Sequence, residues 1–389
     1  MSASLEDPLA RLAGPTVDPR RLAGVLAWLV DPARSIAGLR RAVPTTDGGG
    51  MEAVAAGIDA VVRPPEAHIA PVIAALVEVW LGLGVRVATI GDSAYPDRLR
   101  AGWPHLDAPP LLAWRGQPPT TGPTVAIVGA RRATGYGTGV AAWLASAVAD
   151  AGARVLSGGA VGIDAAAHLA ALEAPGGTTV VLGCGHAVRY PRPHAGPGGL
   201  FERILDHGGS LISEQLPHAP ASPYNVRARN RIVAALADVV VVVEGGARSG
   251  ALVTATEAAE RGTTVLAVPG DVRAPGSVAP HRLLADGAGP CTSPADLLEV
   301  LGAPPAVDGP RRPDELDPDA QDGPSGVTVL PRDVHAELAA AWPRPVPIDE
   351  LADRTGRAAP ALLGALTRAR VAGETADDAS GVRLRRAPR

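Results

Sequence analysis

Between residues 223 and 233 the chain reads Pro-Tyr-Asn-Val-Arg-Ala-Arg-Asn-Arg-Ile-Val, so Arg227, Arg229 and Arg231 sit with Asn225 and Asn230 within seven residues. Guanidinium forks at that density suit bidentate contacts to phosphate oxygens, and Tyr224 beside them offers a ring on which a base can stack. The bland alternative is a solvated helix start whose arginines pair with carboxylates of the next turns. A second basic segment, Arg189-Tyr190-Pro191-Arg192-Pro193-His194, adds two arginines in a loop fixed by proline, with a plain structural turn as its alternative.

Three glycine turns accompany these arginines. The first runs Gly129-Ala130-Arg131-Arg132-Ala133-Thr134-Gly135-Tyr136-Gly137, the second Ser157-Gly158-Gly159-Ala160-Val161-Gly162-Ile163-Asp164, and the third Glu244-Gly245-Gly246-Ala247-Arg248-Ser249-Gly250. Each follows an apolar run and enters an alanine-rich helical segment. A strand, a glycine turn and a helix N-terminus bring free backbone N–H groups and a positive dipole end to one point, which suits a phosphate. Glycine turns of this kind also occur as mere tight turns. The spacing departs from G-x-G-x-x-G, and no acidic residue closes a second strand about 20 residues on, so a dinucleotide site is not expected. Asp164 reads as a cap of the second helix, with His168 as its neighbour one turn on.

The elements that must position these residues follow from periodicity. Residues 1–84 carry apolar residues at helical spacing broken by Pro and Gly, which predicts a small helical domain. A strand is expected over 85–90, then an irregular connector through Asp107-Ala-Pro-Pro-Leu-Leu-Ala-Trp-Arg-Gly116. From 124 to 301, TVAIV, ARVLS, TTVVL, SLIS, DVVVVVE and TTVLAV alternate with helical segments, the pattern of a doubly wound parallel α/β sheet covered on both faces. Ligands in such sheets bind outside the carboxyl ends of the strands, so the three turns should line one crevice. Residues 302–330 read as a flexible acidic Pro/Gly linker, and 331–389 as three short helices followed by a hairpin.

Composition sets the bounds. A chain of 389 residues with 46% hydrophobic content suggests two or three globular domains, and the Gly and Pro counts show no repeating period. The net charge of −4 argues mildly against a nucleic-acid partner, so any such site must be local. The 36 cationic side chains are all arginine, which removes any P-loop lysine. Cys184 and Cys291 match no metal-ligand spacing, and neither a metal site nor a disulfide framework is expected. A basic flank, an apolar leader and an apolar run of about 18 residues are all missing, so the expectation is a cytoplasmic protein with no membrane partner.

Taken together, IVGARRATGYG, VLSGGAVGIDAAAHLAAL, GCGHAVRYPRP, ISEQLP, RNRIVAAL, VVEGGARSGALVTATEA, VLAVPGD and LLADGA follow in order and spacing the core pattern of the DprA/Smf family, which the chain resembles over residues 85–301. Residues 1–84 are similar to that family's SAM-like domain, and 331–389 to its winged-helix appendage. The resemblance implies an extended Rossmann-like fold that binds single-stranded DNA, forms a homodimer and loads RecA during natural transformation or other recombination, with no catalytic residue, cofactor or metal. By position it implies DNA contact at Arg131, Ser157, Gly158, Gly159, Arg192, Arg229, Asn230 and Arg231, and the glycine turns and arginine cluster add Gly129, Arg132, Arg227, Ser249 and Gly250 to the expected binding set. The chain departs from the pattern at Val226-Arg227, where Phe-Pro is usual, at Val161, often arginine, and at His281, usually asparagine.

One enzyme class competes. Rossmann-like nucleoside-monophosphate phosphoribohydrolases share such a crevice but carry Pro-Gly-Gly-x-Gly-Thr-x-x-Glu, where this chain has Glu244-Gly-Gly-Ala-Arg-Ser-Gly-Ala-Leu with Glu257 at a different offset. In the tail, Arg354, Arg357, Arg368 and Arg370 could contact duplex DNA, although Asp349, Glu350 and Asp353 lie beside them, and a protein-interaction or regulatory role is the alternative.

Overall fold

The computed structural model describes residues 3–34, 36–43, 51–102, 107–119, 122–302, 330, 332–341, 344–356, 362, 366, 375–378 and 381–384. The chain divides into two compact units, Met1–Pro310 and Arg311–Arg389.

The first unit begins with α1 (Ala3–Ala13), α2 (Pro19–Val30), α3 (Ile36–Ala42), α4 (Met51–Val61) and α5 (Ala70–Gly82), followed by β1 (Arg86–Thr89), α6 (Asp97–Arg100) and β2 (Leu111–Gly116). Strands and helices then alternate: β3 (Thr124–Val128), α7 (Gly135–Asp150), β4 (Arg154–Ser157), α8 (Ile163–Ala170), β5 (Thr178–Val181), α9 (Leu200–Asp206), β6 (Ser210–Ser213), α10 (Pro223–Ala228), α11 (Asn230–Leu236), β7 (Val239–Val242), α12 (Gly250–Glu260), β8 (Thr264–Ala267), α13 (Val278–Ala285), β9 (Gly289–Pro290) and α14 (Pro294–Val300).

The strands form one sheet in the order β1-β2-β6-β5-β4-β3-β7-β8-β9. From β6 to β9 every pairing is parallel, whereas β2 pairs antiparallel with both β1 and β6. The fold is thus a mixed α/β fold with a mostly parallel sheet. The segment expected as an irregular connector is in fact β2, with Leu111 to Trp114 all buried. Its prolines, Pro109 and Pro110, precede the strand and remove no ladder hydrogen bond from it.

Alternation divides the sheet's side chains between two cores. Val125 and Ile127 of β3, with Val239 and Val241 of β7, join a cluster with Leu144 and Val148 of α7 and Ala167 of α8. Ala126, Val128, Val240 and Val242 face the other way, into a cluster with Ile232 and Val233 of α11 and Ala251 and Ala255 of α12. That second cluster also contains Leu5, Leu9, Leu22, Leu26, Ile73 and Trp80 of the N-terminal helices. Residue 84 therefore marks a change of element type and no break in packing. Burial on both faces explains why these strands read as unbroken apolar runs.

The chain winds outward from β3 through β4 and β5 to β6, then returns to place β7 on the other side of β3. The β3/β7 boundary is the topological switch point, where the diverging crossovers leave an opening at the strands' carboxyl ends.

The second unit holds α15 (Arg332–Ala341), α16 (Ile348–Thr355) and a hairpin of β10 (Thr375–Asp378) with β11 (Gly381–Leu384), to which Val346 adds an isolated bridge with Val382. Val334, Leu338, Leu351, Leu362, Leu366 and Val382 pack around one small core. Residues 303–329 of the expected linker and most of the segment expected as the third tail helix lie outside the described residues, as do Arg357, Arg368 and Arg370. Among the described residues no helix is long and apolar enough to cross a membrane.

Candidate nucleic-acid interface

A cleft of about 650 Å³ opens at the β3/β7 switch point. Its walls are residues 128–132 after β3, Gly158 and Ala160 after β4, Ser222, Val226 and Arg227 of the α10 segment, Arg229 and Asn230 entering α11, and Arg248 to Gly250 after β7. The three glycine turns and the arginine cluster thus meet in one place, although 121 positions separate Gly129 from Gly250 in sequence.

Backbone amides contribute less to this cleft than the turns suggest, because the protein supplies its own anions there. The N–H groups of Gly158 and Ala160 both donate to Asp164 Oδ2, at 3.1 and 3.2 Å. The Thr134 N–H donates to Glu244 Oε2 at 2.9 Å, and the Thr134 hydroxyl bonds the other oxygen of the same carboxylate. The helix starts are capped as well, by the Thr134 hydroxyl at α7, Ser222 at α10 and Ser249 at α12. The groups left free to meet an anion in this cleft are therefore mainly side chains.

The arginines fall into two groups. Arg131, Arg132, Arg227 and Arg248 line the cleft, are exposed, and make no hydrogen bond or ion pair among the described residues. Arg248 belongs with them although the binding set expected from the sequence omits it; its place inside the third glycine turn is the available signal. Arg229 also borders the cleft, but it is buried and donates from Nη1 to the Val181 carbonyl at 2.9 Å. Its guanidinium lies directly over Gly158, where an added Cβ would overlap Nη1 and Nη2. Burial pushes the Arg229 guanidinium down and the Asp164 carboxyl up, and each charge opposes the other's shift.

Several expected positions are committed to the fold, and of these Arg231, Ser157, Gly159 and Arg192 do not line the cleft. Arg231 is 5% exposed and forms a two-pronged pair with Glu214, at 2.7 and 2.5 Å, while its Nε donates to the Asp107 carbonyl at 2.6 Å. It ties α11 to the end of β6 and to the lead-in to β2. Ser157 is fully buried, and its hydroxyl donates to the Ile127 carbonyl at 2.6 Å, between β4 and β3. Gly159, at φ 68°, borders a recess of about 70 Å³ beside the cleft, and a Cβ there would collide with the buried Val180 and Phe201. Arg192 is exposed but sits on the rim, in a loop whose Tyr190 does line the cleft. Gly129 is required by the close approach of Ile163 and the Glu244 carbonyl. Asn230 donates to the Gly250 carbonyl at 3.2 Å, joining α11 to the turn after β7. Val226 and Val161 border the small recess, and the His281 ring donates to the Gly270 carbonyl at 3.1 Å.

Behind the strand ends lie buried imidazoles. The Thr178 hydroxyl donates to the Val155 carbonyl, so His168 Nδ1, 2.7 Å from Thr178 Oγ1, carries the proton and donates to that hydroxyl oxygen. His168 Nε2 has no hydrogen-bond partner among the described residues. Burial, aided by His194 and Arg229, holds His168 down to about 3, and burial holds His186 down to about 4. Both are neutral in the fold, whereas the unfolded chain takes up protons below about pH 6.5. The stability they contribute is present above that pH and is lost as pH falls toward 4. Thermal midpoints measured between pH 7 and pH 4 should fall, and less steeply for a variant carrying His168→Gln and His186→Gln; equal slopes would contradict the assignment.

Among the described residues no group of three or more His, Cys, Asp and Glu could hold a metal ion. Glu257 pairs with Arg261 at 2.6 Å and lies outside the cleft lining.

A family model described as DNA recombination-mediator protein A matches residues 86–302. Protein Smf of Escherichia coli K12 is 38% identical over 266 residues, 68% of each chain. The putative DNA processing protein DprA of Mycobacterium tuberculosis H37Rv is 37% identical over 309 residues, 76% of each chain. The X-ray structure of DNA processing protein A (DprA) from Streptococcus pneumoniae superposes with a TM-score of 0.51 at 27% identity, covering 77% of this chain and 98% of that one. A match that spans the whole sheet, and relatives aligned over two thirds or more of their length, place this chain in the DNA recombination-mediator protein A family, the DprA/Smf proteins.

Proposed function

We propose that this protein binds single-stranded DNA along the strand-end cleft and passes the strand to a RecA recombinase, without chemistry of its own. The observation that carries the reading is the charge of the cleft: four unpaired arginines, Arg131, Arg132, Arg227 and Arg248, stand in a chain of net charge −4. The one carboxylate among the lining residues, Asp164, is buried and bonded to the Gly158 and Ala160 amides. Planar guanidinium groups around an open groove suit a flexible phosphate backbone. The groove carries too few free cations to neutralise a full duplex turn.

A homodimer built through the sheet-containing unit, a SAM-like role for α1 to α5, a winged-helix role for the tail, and action in the cytoplasm during transformation or repair complete the proposal on the strength of the family resemblance. In the tail, Arg354 pairs with Glu350 and lies 3.5 Å from Glu337, which favours a protein-facing role over duplex contact. The phosphoribohydrolase reading loses its acid, since Glu257 faces Arg261.

Binding of an unstructured oligonucleotide measured against salt tests the proposal. If the four free arginines each meet a phosphate, log K should fall with log salt at a slope of about −3, or roughly 0.7 for each phosphate. Arg131→Ala and Arg248→Ala should each flatten the slope by about 0.7 and weaken all base sequences alike. Absence of binding at about 50 mM salt would sink the reading. A loss restricted to one base sequence would show that these arginines read bases.

A further inference from the structure

Among the described aromatic side chains, two are exposed: Tyr224, at 78%, and Tyr136, at 55%. Both belong to the strand-end rim. Tyr224 lies in α10, three residues before the free Arg227, and Tyr136 lies in the first turn of α7, four residues after the free Arg132. The remaining described tyrosines, tryptophans and phenylalanine are buried or half-buried, so among the described residues the most exposed of these rings stand near the unpaired arginines in sequence.

Tyr136 has a second property that a solvated surface residue lacks. Its hydroxyl donates to the Pro269 carbonyl at 2.8 Å, in the loop that follows β8. Its backbone starts from the end of β3, and the Glu244 carboxylate at the end of β7 holds the turn before it through Thr134. The 129–136 segment and the Tyr136 side chain together therefore link the end of β3 past β7 to the loop after β8, two strand spacings or roughly 10 Å away. A ring tied at its polar tip loses little further freedom when another ring packs on it, and its exposed surface is apolar. The loop it reaches carries Val272, 84% exposed, and Arg273, exposed and paired with Asp271.

We propose that Tyr136 is a base-stacking platform: it extends the single-strand path from the cleft across the end of β7 toward the loop after β8, and binds any base by its π face. This rests on the single-strand reading above, in which the arginines hold phosphates. Stacking on one aromatic is sequence-tolerant, which fits a protein whose cleft offers cations and few base-reading groups.

The test uses the full chain and two fluorescein-labelled strands of equal length, one of thymidine and one of abasic sugar-phosphate units, with binding read by polarisation. Tyr136→Leu should bind the thymidine strand about 5- to 30-fold more weakly. The salt slope should not change, because no cation is lost. Tyr136→Phe keeps the ring and loses the tie to Pro269, and should weaken binding less than Tyr136→Leu. Wild type and Tyr136→Leu should bind the abasic strand equally. Wild-type affinity of Tyr136→Leu for thymidine, or an equal loss on the abasic strand, overturns the inference while leaving the arginine reading intact. If instead the wild-type protein binds neither strand, the single-strand reading fails and takes this inference with it.

Discussion

Replacing Arg231 by alanine is expected to destabilise the Met1–Pro310 unit by about 3–5 kcal/mol and to leave the salt dependence of DNA binding as in the wild type. Arg231 is buried, both its terminal nitrogens meet the Glu214 carboxylate, and its Nε meets Asp107. Alanine would strand the Glu214 carboxylate, itself 7% exposed, with no cation to balance it. An uncompensated buried charge dominates the loss, more than the missing contact. At roughly 2–4 °C per kcal/mol for a unit of this size, the thermal midpoint should drop by about 10 °C. Removing both charges, with Arg231→Met and Glu214→Leu, should recover much of that loss. A variant Arg231→Ala that melts like the wild type but shows a flatter salt slope would return this residue to the binding surface.

The second large effect is expected at Gly158. A Cβ there would fall inside the van der Waals envelope of Arg229 Nη1 and Nη2. The guanidinium is a rigid plane, held by the Val181 carbonyl and buried, and cannot step aside as a flexible chain end would. Gly158→Ala should therefore expel Arg229 at a cost on the order of 3 kcal/mol, by overpacking and by separating the buried guanidinium from Asp164. Thermal unfolding of the single and double variants resolves the cause. In an Arg229→Ala background the clash is gone, so Gly158→Ala should be nearly neutral there, a departure from additivity larger than about 1 kcal/mol. Additive losses would mean that Gly158 is constrained by something other than Arg229.

These two positions also mark what can be read from sequence. The strands of the parallel sheet are legible because burial on both faces leaves an unbroken apolar run, and the glycine turns because close backbone approach admits little else, as at Gly129 between Ile163 and Glu244. Local spacing cannot tell which arginines are free. Arg227, Arg229 and Arg231 look alike in the sequence, yet the partner that removes Arg231 is a carboxylate at the end of β6, and the one that opposes Arg229 sits in α8. Those pairings are set by the crossover topology. The same limit hides the role of Asp164, which reads as a helix-cap residue and serves as the resident anion of the 158–160 turn. β2 is not legible from pattern because Pro109 and Pro110 read as breakers of the whole segment, when they end just before its first residue.

One consequence follows from the core that α1, α2 and α5 share with the sheet. Helices that contribute Leu5, Leu22, Ile73 and Trp80 to the same apolar cluster as Val128, Val240 and Val242 cannot swing away as a hinged lid without wetting that surface. In the single-strand reading proposed above, adaptation to the strand must come from the rim: the exposed arginine side chains, the turn at 246–250 and the loop carrying Arg189 and Arg192. The scaffold is rigid by construction, and adaptation to a flexible polymer is left to short loops bearing long side chains.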